Sequence, residues 1–551
     1  MIQTATQKIY DELEIITPDF EDRPLHSFVE QHAAEIGDRP ALQYATRSIN
    51  YAEYNRLGNQ AANMLSKLGV GKGDVVGLHM PNIPQYPITL LALSKLGAIG
   101  SGVSPLLAPP ELAYQVDNAG IKVLVSFSDL LPTVQAMPSQ PESLQTIVLA
   151  GARDYLDAPE AEGAAIDGVD LKHWLAEIRD CSDQFDGADW HWNDTMMIQY
   201  TGGTTGPPKG AELSLRNVMH NPGMVAATET PHEVGNEVFA SAFPMFHAAG
   251  MSFVFSCAIS GAMMYLLPNP RDIEGFIEMM KRFPPTRLAA VPALYDMLLA
   301  HPEIHEVDFS RLDSAKTGAA PMTRTTYNNL SKVIGENKIT DVFGMTETGP
   351  CYTAHPVRRY KSGSVGFAAP GAEIRIMDVD TGTEEMPVGE PGEICCCGPQ
   401  VMKGYLNLPE ESARALREMD GKLWMYSGDV GYVDDEGYLF LCDRAKDMLI
   451  VGGFKVFSVE LEDKLKSLPQ VGESAIIGVA DKARPGNDIV NLYVQLSEAY
   501  LDADHDQVKA DILAFCKENM SAYKVPKAIH IIDEIPLTPV GKIDKKALRV
   551  A

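Results

Sequence analysis

Cysteine is scarce, at 8 residues in 551. A disulfide-built scaffold is excluded, and the absence of any Cys-x-x-Cys pair removes a thioredoxin-like motif and a zinc ribbon. Three of the eight are consecutive, Cys395, Cys396 and Cys397. Neighbouring side chains leave opposite faces of a strand, so GEICCC reads as a buried strand of reduced thiols. Positive charge is also short: 46 Lys and Arg stand against 74 Asp and Glu, a net of −28. Nucleic-acid and anionic-lipid surfaces need clustered cations, so no nucleic-acid partner is expected. The deficit is uneven, because from Ala445 onward 14 basic residues face 16 acidic ones and the preceding residues carry −26. A near-neutral tail on an acidic body reads as a second module that meets an anionic ligand.

Long apolar runs are missing, with one exception. Ala248–Leu267 holds 20 residues without a formal charge, the length that crosses a bilayer. Ser252, Ser256, Ser260, Gly250 and Gly261 interrupt it, and the β-prone MMYLL follows. A helix, a glycine break and a buried strand are therefore expected, and no integral membrane segment. MIQTATQKIYDELEII has acids where a signal peptide needs an apolar core, and LRVA is neither a peroxisomal nor a prenylation signal. The expected location is cytoplasmic.

What is present is ordinary globular composition, 45% hydrophobic and 22% charged, in a chain too long for one domain of roughly 100–200 residues. Val- and Ile-rich runs alternate with amphipathic stretches. DVVGLHM, KVLVSF and TIVLA read as strands and PQYPITLLALSKLG as a helix, the alternation of parallel βαβ layers. Residues 151–190, acidic and Gly/Ala-rich, read as an irregular surface excursion. After about residue 360 short strands and turns take over, with a hairpin at Asp434–Gly437. A small α+β unit follows Arg444.

The densest local signal is Tyr200-Thr201-Gly202-Gly203-Thr204-Thr205-Gly206-Pro207-Pro208-Lys209-Gly210. Glycines permit close backbone approach. Main-chain N–H groups and three hydroxyls offer donors to phosphate oxygens, and Lys209 supplies charge. A Walker-A loop needs Gly-Lys-Ser/Thr opening a helix, which Pro208-Lys209-Gly210 does not offer. A dinucleotide fingerprint also fails at Gly71-Lys72-Gly73, which lacks the third glycine.

This string resembles the signature of the acyl-adenylate-forming enzymes, whose members include acyl-CoA synthetases, aryl-CoA ligases and peptide-synthetase adenylation domains. Five further motifs resemble that family's, in its order. FPMFHAAG carries His247, at the border of the carboxylate pocket. KTGAAP, with Gly318, Ala319 and Ala320, and DVFGMTETGP, with Phe343, Gly344, Met345, Thr346 and Glu347, resemble the adenine-binding pair; Phe343 stands where the family usually has tyrosine. YSGDVGYVDDEGYLFLCDRAKD brings Asp429 to the ribose, Arg444 to the nucleotide and Lys446 to a hinge. VGGFKVFSVELE and PLTPVGKIDKKAL resemble the opening and closing of the family's small domain, with Gly453 on the thiol channel, Ser458 where proline is common, and Lys542 as the closing lysine.

The resemblance implies an α/β fold, in which a large N-terminal adenylate-forming domain of layered sheets with a β-rich end (residues 1–443) joins through a hinge (444–447) to a small mobile α+β domain (448–551). It implies ATP, Mg2+ and CoA, the metal held by Thr201 and Glu347. Thr201, Thr204, Thr205, Lys209 and Lys542 would neutralise charge while a carboxylic acid is joined to AMP and then passed to a thiol. No carrier-domain serine follows Lys542, so the expected thiol is CoA. The acid-side segment has no cation from Phe246 to Leu267, which favours an apolar tail, a medium- or long-chain fatty acid; aryl, branched and thioether acids stay open. The residues do not set the oligomeric state, and a homodimer is carried only as an expectation.

Overall fold

A computed structural model describes residues 2–19, 21–156, 169–201, 207–230, 233–318, 322–357, 359–452, 454–482, 484–537 and 543–550. Two large sheets carry most of the first 400 residues. One has eight strands. Its parallel part runs Thr195–Thr201, Ile99–Gly102, Val75–His79, Ile121–Phe127, Thr146–Ala150, Asp170–His173. Antiparallel Lys209–Ser214 and the two-residue strand Gly404–Tyr405 complete its near edge. The other sheet has nine strands; its parallel centre runs Ile339–Gly344, Ser314–Thr317, Arg287–Ala289, Val238–Ser241, Met263–Leu266, Pro40–Tyr44.

These strands are parallel because helices return the chain between them, and the helices must bury apolar stripes. One buried cluster joins Val76, Leu78 and Met197 of the first sheet to Leu42, Phe239 and Met264 of the second. Helix Gln85–Leu96 belongs to this layer, and all 12 of its residues are buried. Lys95 among them keeps its charge partnered by Glu30. Each such leucine contributes about 1.5–3 kcal/mol relative to an exposed one.

The expected strands and helix stand at Val75–His79, Ile121–Phe127, Thr146–Ala150 and Gln85–Leu96. The charge-free segment is helix Ala248–Ser260, a break at Gly261 (φ 71°) and buried strand Met263–Leu266. Among the described residues, no helix is long and apolar enough to cross a membrane. GEICCC is strand Gly392–Cys397 of a five-stranded antiparallel sheet. Cys395 packs with Trp424 and Tyr426, while its neighbour Cys396 enters the main core. All eight thiols are free.

Within residues 151–190, the stretch 170–179 is regular and not part of the irregular excursion expected from composition. Asp170–His173 extends the eight-stranded sheet, and helix Trp174–Arg179 buries Trp174 fully beside it. Residues 157–168 lie outside the described residues.

Beyond the hairpin of Lys422–Val433 and Leu439–Arg444, the chain forms a three-stranded sheet, Val471–Ala480, Asp488–Leu496 and Ala528–Ile532, with its own buried cluster. An ionic network ties this unit to the end of the hairpin. The Ser458 N–H and hydroxyl both donate to Asp443 Oδ2, the hydroxyl at 2.7 Å. Lys545 Nζ reaches Ser458 Oγ at 2.5 Å and Glu462 Oε1 at 2.7 Å. Proline at 458 would supply neither donor, so the serine found there takes a role of its own.

Burial pushes the carboxyls of Asp443 and Glu462 above their usual range, and Lys545 pulls both back down. Lys545→Met removes that cation. The expected loss at pH 8 is about 3–5 kcal/mol, the cost of breaking a buried pair. A raised carboxyl binds more protons folded than unfolded, so stability falls as pH rises above the ordinary carboxylate range. The loss should therefore be smaller at pH 5. Hydrogen exchange across Ser458–Leu465 and Val471–Ala480 measures it, and a loss that does not grow from pH 5 to pH 8 contradicts the network.

Candidate active site

Thr201 ends one strand, Lys209 opens the next, and the two face each other across the antiparallel pair. Thr201 Oγ1 approaches the Lys209 carbonyl at 3.5 Å. The pair thus holds the two ends of the glycine–threonine loop a strand spacing apart; Gly202, Gly203, Thr204, Thr205 and Gly206 lie outside the described residues. Turn Thr346–Thr348 packs against both strands. Asn221 fixes this turn by donating to the carbonyls of Thr348 and Cys351 at 3.3 and 2.6 Å.

Glu347 in that turn is 5% exposed. Burial pushes its carboxyl above the usual range and Asp429 adds to the rise; hydrogen bonding from Tyr405 and the charge of Lys209 oppose it. The Tyr405 hydroxyl donates to Glu347 Oε1 at 2.7 Å. Lys209 Nζ lies 5.0 Å from the Tyr405 ring centroid and 2.5 Å from Glu411 Oε2. Tyr405 and Glu411 are absent from the sequence reading. The one local signal was a proline with two acids opening a helix, Pro409-Glu410-Glu411; nothing local says that a two-residue strand would pair with Lys209–Ser214.

Phe343 and Gly344 end their strand, and Met345 and Thr346 lead into the turn. Phe343 is half-buried, edge-on to Tyr352 at 5.4 Å. A Cβ on Gly344 would stand 2.1 Å from the Pro350 carbonyl oxygen, so the chain can fold back here only with glycine. Gly318 follows the neighbouring strand, 2.9 Å from the Val342 oxygen by the same measure; Ala319 and Ala320 lie outside the described residues.

Asp429 and Arg444 are direct cross-strand partners, with Arg444 Nε 3.4 Å from Asp429 Oδ1. The hydroxyl of Ser427 accepts the Asp429 N–H at 3.1 Å and donates to the Ile394 carbonyl at 2.7 Å. Lys446 is exposed along its side chain; desolvation, then Arg444, lowers its ammonium below the usual range, while Asp447 and Asp429 pull it up. His247 caps helix Ala248–Ser260, its Nδ1 accepting the Ala249 N–H at 3.4 Å. The preceding Phe246 carbonyl lies against Gly102, the last residue of the strand beside Thr195–Thr201. The fold thus gathers Thr201, Lys209, Glu347, Asp429, Arg444 and Lys446 around one locus, with Phe343 beside it through Tyr352. Gly453 and Lys542 lie outside the described residues.

The Glu347 carboxylate and Thr201 hydroxyl are hard oxygen donors of the kind magnesium takes. A carboxyl held up by burial and a neighbouring acid gains from a divalent cation, so these residues fit that metal.

The model for the AMP-binding enzyme family matches residues 29–406, and that for the AMP-binding enzyme C-terminal domain matches 460–542. Among curated relatives, a long-chain-fatty-acid–CoA ligase of Escherichia coli O6:H1 is 31% identical over 539 residues, covering 94% of this chain and 93% of that protein. The solved anthranilate CoA ligase AuaEII with anthranoyl-AMP superposes with a TM-score of 0.81 at 26% identity, covering 96% and 97% of the two chains. ATP-bound MatB from Rhodopseudomonas palustris gives 0.81 at 27% identity, covering 96% and 99%.

The depressed Lys446 yields a chemical signature. In competitive acetylation of the full chain across a pH series, Lys446 should reach half-labelling below the pH of an ordinary lysine ammonium. Arg444→Ala should move that point upward and Asp429→Asn downward. Identical titration of Lys446 in all three chains contradicts the electrostatics.

Proposed function

This chain belongs to the AMP-binding enzyme family and is an AMP-forming acid–CoA ligase acting on a carboxylic acid with ATP and CoA, and from that premise we propose that its acid is a medium- or long-chain fatty acid. The observation that carries the acid is the helix behind His247. Ala248–Ser260 has no charged residue, and a half-buried stripe of Ala249, Ser252, Phe253 and Ser256 runs along it. The partly buried ring of Phe243 stacks on Phe253 at 6.0 Å. A second carboxylate would find no cation on this wall. Ala248 and Gly250 belong to packing instead: Ala248 is in the core, and a Cβ on Gly250 would stand 2.1 Å from the Pro244 oxygen. An aryl acid is the second reading, favoured by the aromatic pair and by the anthranoyl-AMP of a similar structure.

In the reaction, a carboxylate oxygen bonds to the α-phosphorus, the bond to the β-phosphate oxygen breaks and pyrophosphate leaves. A thiol then attacks the acyl carbon, the bond to AMP breaks and the thiol proton passes to solvent. Phosphoryl transfer depends on positioning and charge stabilisation. We assign Thr201, the loop hydroxyls and Lys209 to the leaving phosphates, Phe343 and Gly318 to adenine, Asp429 and Arg444 to the ribose side, and His247 to the acid. Bound magnesium would add positive charge beside Thr201 and Glu347. Lys542 would join the carboxylate and α-phosphate in the first step, and rotation about Lys446 between units 1–443 and 448–551 would exchange it for the Gly453 segment in the second. The eight free thiols support a reducing, cytoplasmic location.

Two assays test this reading. Pyrophosphate release with CoA over saturated acids of increasing length, with aryl and dicarboxylic controls, should peak at medium or long chains; a maximum on an aryl or dicarboxylic acid overturns the substrate. Lys542→Ala should lose acyl-AMP formation by about 100-fold or more, as for removal of a transition-state charge. The same variant should still convert preformed acyl-AMP and CoA to thioester, and equal loss of both halves contradicts the exchange.

A further inference from the structure

Lys209 is the one basic residue from Tyr200 to Gly210, and its ammonium is already engaged. Glu411 Oε2 lies 2.5 Å from Nζ, and this contact holds the Glu411 carboxyl below the usual range. Arg414 Nη1 donates to the other oxygen, Oε1, at 2.7 Å. Glu411 therefore has a second cation of its own, one turn along helix Pro409–Ala415. That helix is anchored beside the loop. The Tyr405 N–H donates to Ser412 Oγ at 2.8 Å, and Tyr405 pairs with Ala211 two residues beyond Lys209. One short segment thus touches the loop's cation through Glu411 and the buried Glu347 carboxylate through the Tyr405 hydroxyl.

We propose that Glu411 is a positioning residue that parks the Lys209 ammonium before ATP binds, yields it to the incoming triphosphate and recaptures it as pyrophosphate leaves. This rests on the reading of Lys209 as a phosphate ligand. The phosphates and Glu411 compete for one ammonium, and a carboxylate beside the phosphates adds like-charge repulsion. Arg414 keeps Glu411 neutralised while Lys209 is away. The cost is weaker binding of both polyphosphates. The gain is a lysine already aimed at the loop and a product that is displaced. Glu411→Gln keeps the shape and a hydrogen-bond acceptor but removes the competing charge.

The test is calorimetric binding of MgATP to the full chain without acid or CoA, together with inhibition of turnover by pyrophosphate. Glu411→Gln should tighten both by about three- to tenfold, as expected for loss of a partly exposed competing ion pair. Glu411→Asp should stay near the parent. Glu410, 89% exposed and 3.9 Å from Arg414, provides the same charge change one residue earlier, and Glu410→Gln should leave both constants unchanged. Unchanged or weaker binding in Glu411→Gln, or equal tightening in Glu410→Gln, overturns the proposal. Lys209→Ala separates the two layers. It should weaken MgATP binding and abolish the effect of Glu411→Gln; undiminished binding in Lys209→Ala removes the phosphate-ligand reading itself.

Discussion

A protein of net charge −28 that draws a triphosphate against itself must concentrate positive charge and oriented donors at one place. Here that place is the end of one antiparallel pair, Thr195–Thr201 against Lys209–Ser214, where Thr201 and Lys209 face each other. The local balance is adverse too, because Glu411 and Glu347 both act on a single loop lysine and Asp429 adds negative charge beside Glu347. Two are partnered by cations, Asp429 by Arg444 and Glu411 by Lys209 and Arg414. The third, Glu347, is buried under a tyrosine hydroxyl, the arrangement in which a divalent cation gains most. The architecture follows from this demand: parallel strands bring Gly102, Thr201, Gly318 and Gly344 to the ends where such sheets place ligands.

Wherever one strand or helix makes its own contacts, its residues announce it. The Val- and Ile-rich runs became strands because both faces of those sheets are covered, and the charge-free stretch became helix, break and strand because Gly261 stops it. The glycine–threonine string was legible for the same reason, since its chemistry is contained in eleven consecutive residues. Residues 170–179 were misread because Trp174 is buried by a sheet edge that composition cannot reveal. Tyr405 and Glu411 were missed because they reach Lys209 only through a strand pairing some 200 positions away in sequence. Asp429 and Arg444 came to light through the resemblance, and their register across the hairpin gives the physical reason that the two act together.

The division of labour follows the same lines. The two sheets and their helices form a frame with one buried cluster shared between the sheets and further clusters on their other faces. The last hundred residues have a separate core, joined to the frame through Asp443, Ser458 and Lys545. Hydrophobic burial thus builds two bodies, and a few charged groups govern their junction. One of those groups, Ser458, stands where proline is common in similar proteins, so a change there touches the junction. We place the choice of acid elsewhere, on the helix capped by His247.

The central claim is that the acid is activated at the α-phosphorus. Exchange of labelled pyrophosphate into ATP, without CoA, measures it most directly. The account predicts exchange that requires the acid and is lost in Lys209→Ala. Exchange of labelled inorganic phosphate in its place, with ADP as product, would put the attack at the γ-phosphorus and contradict the account.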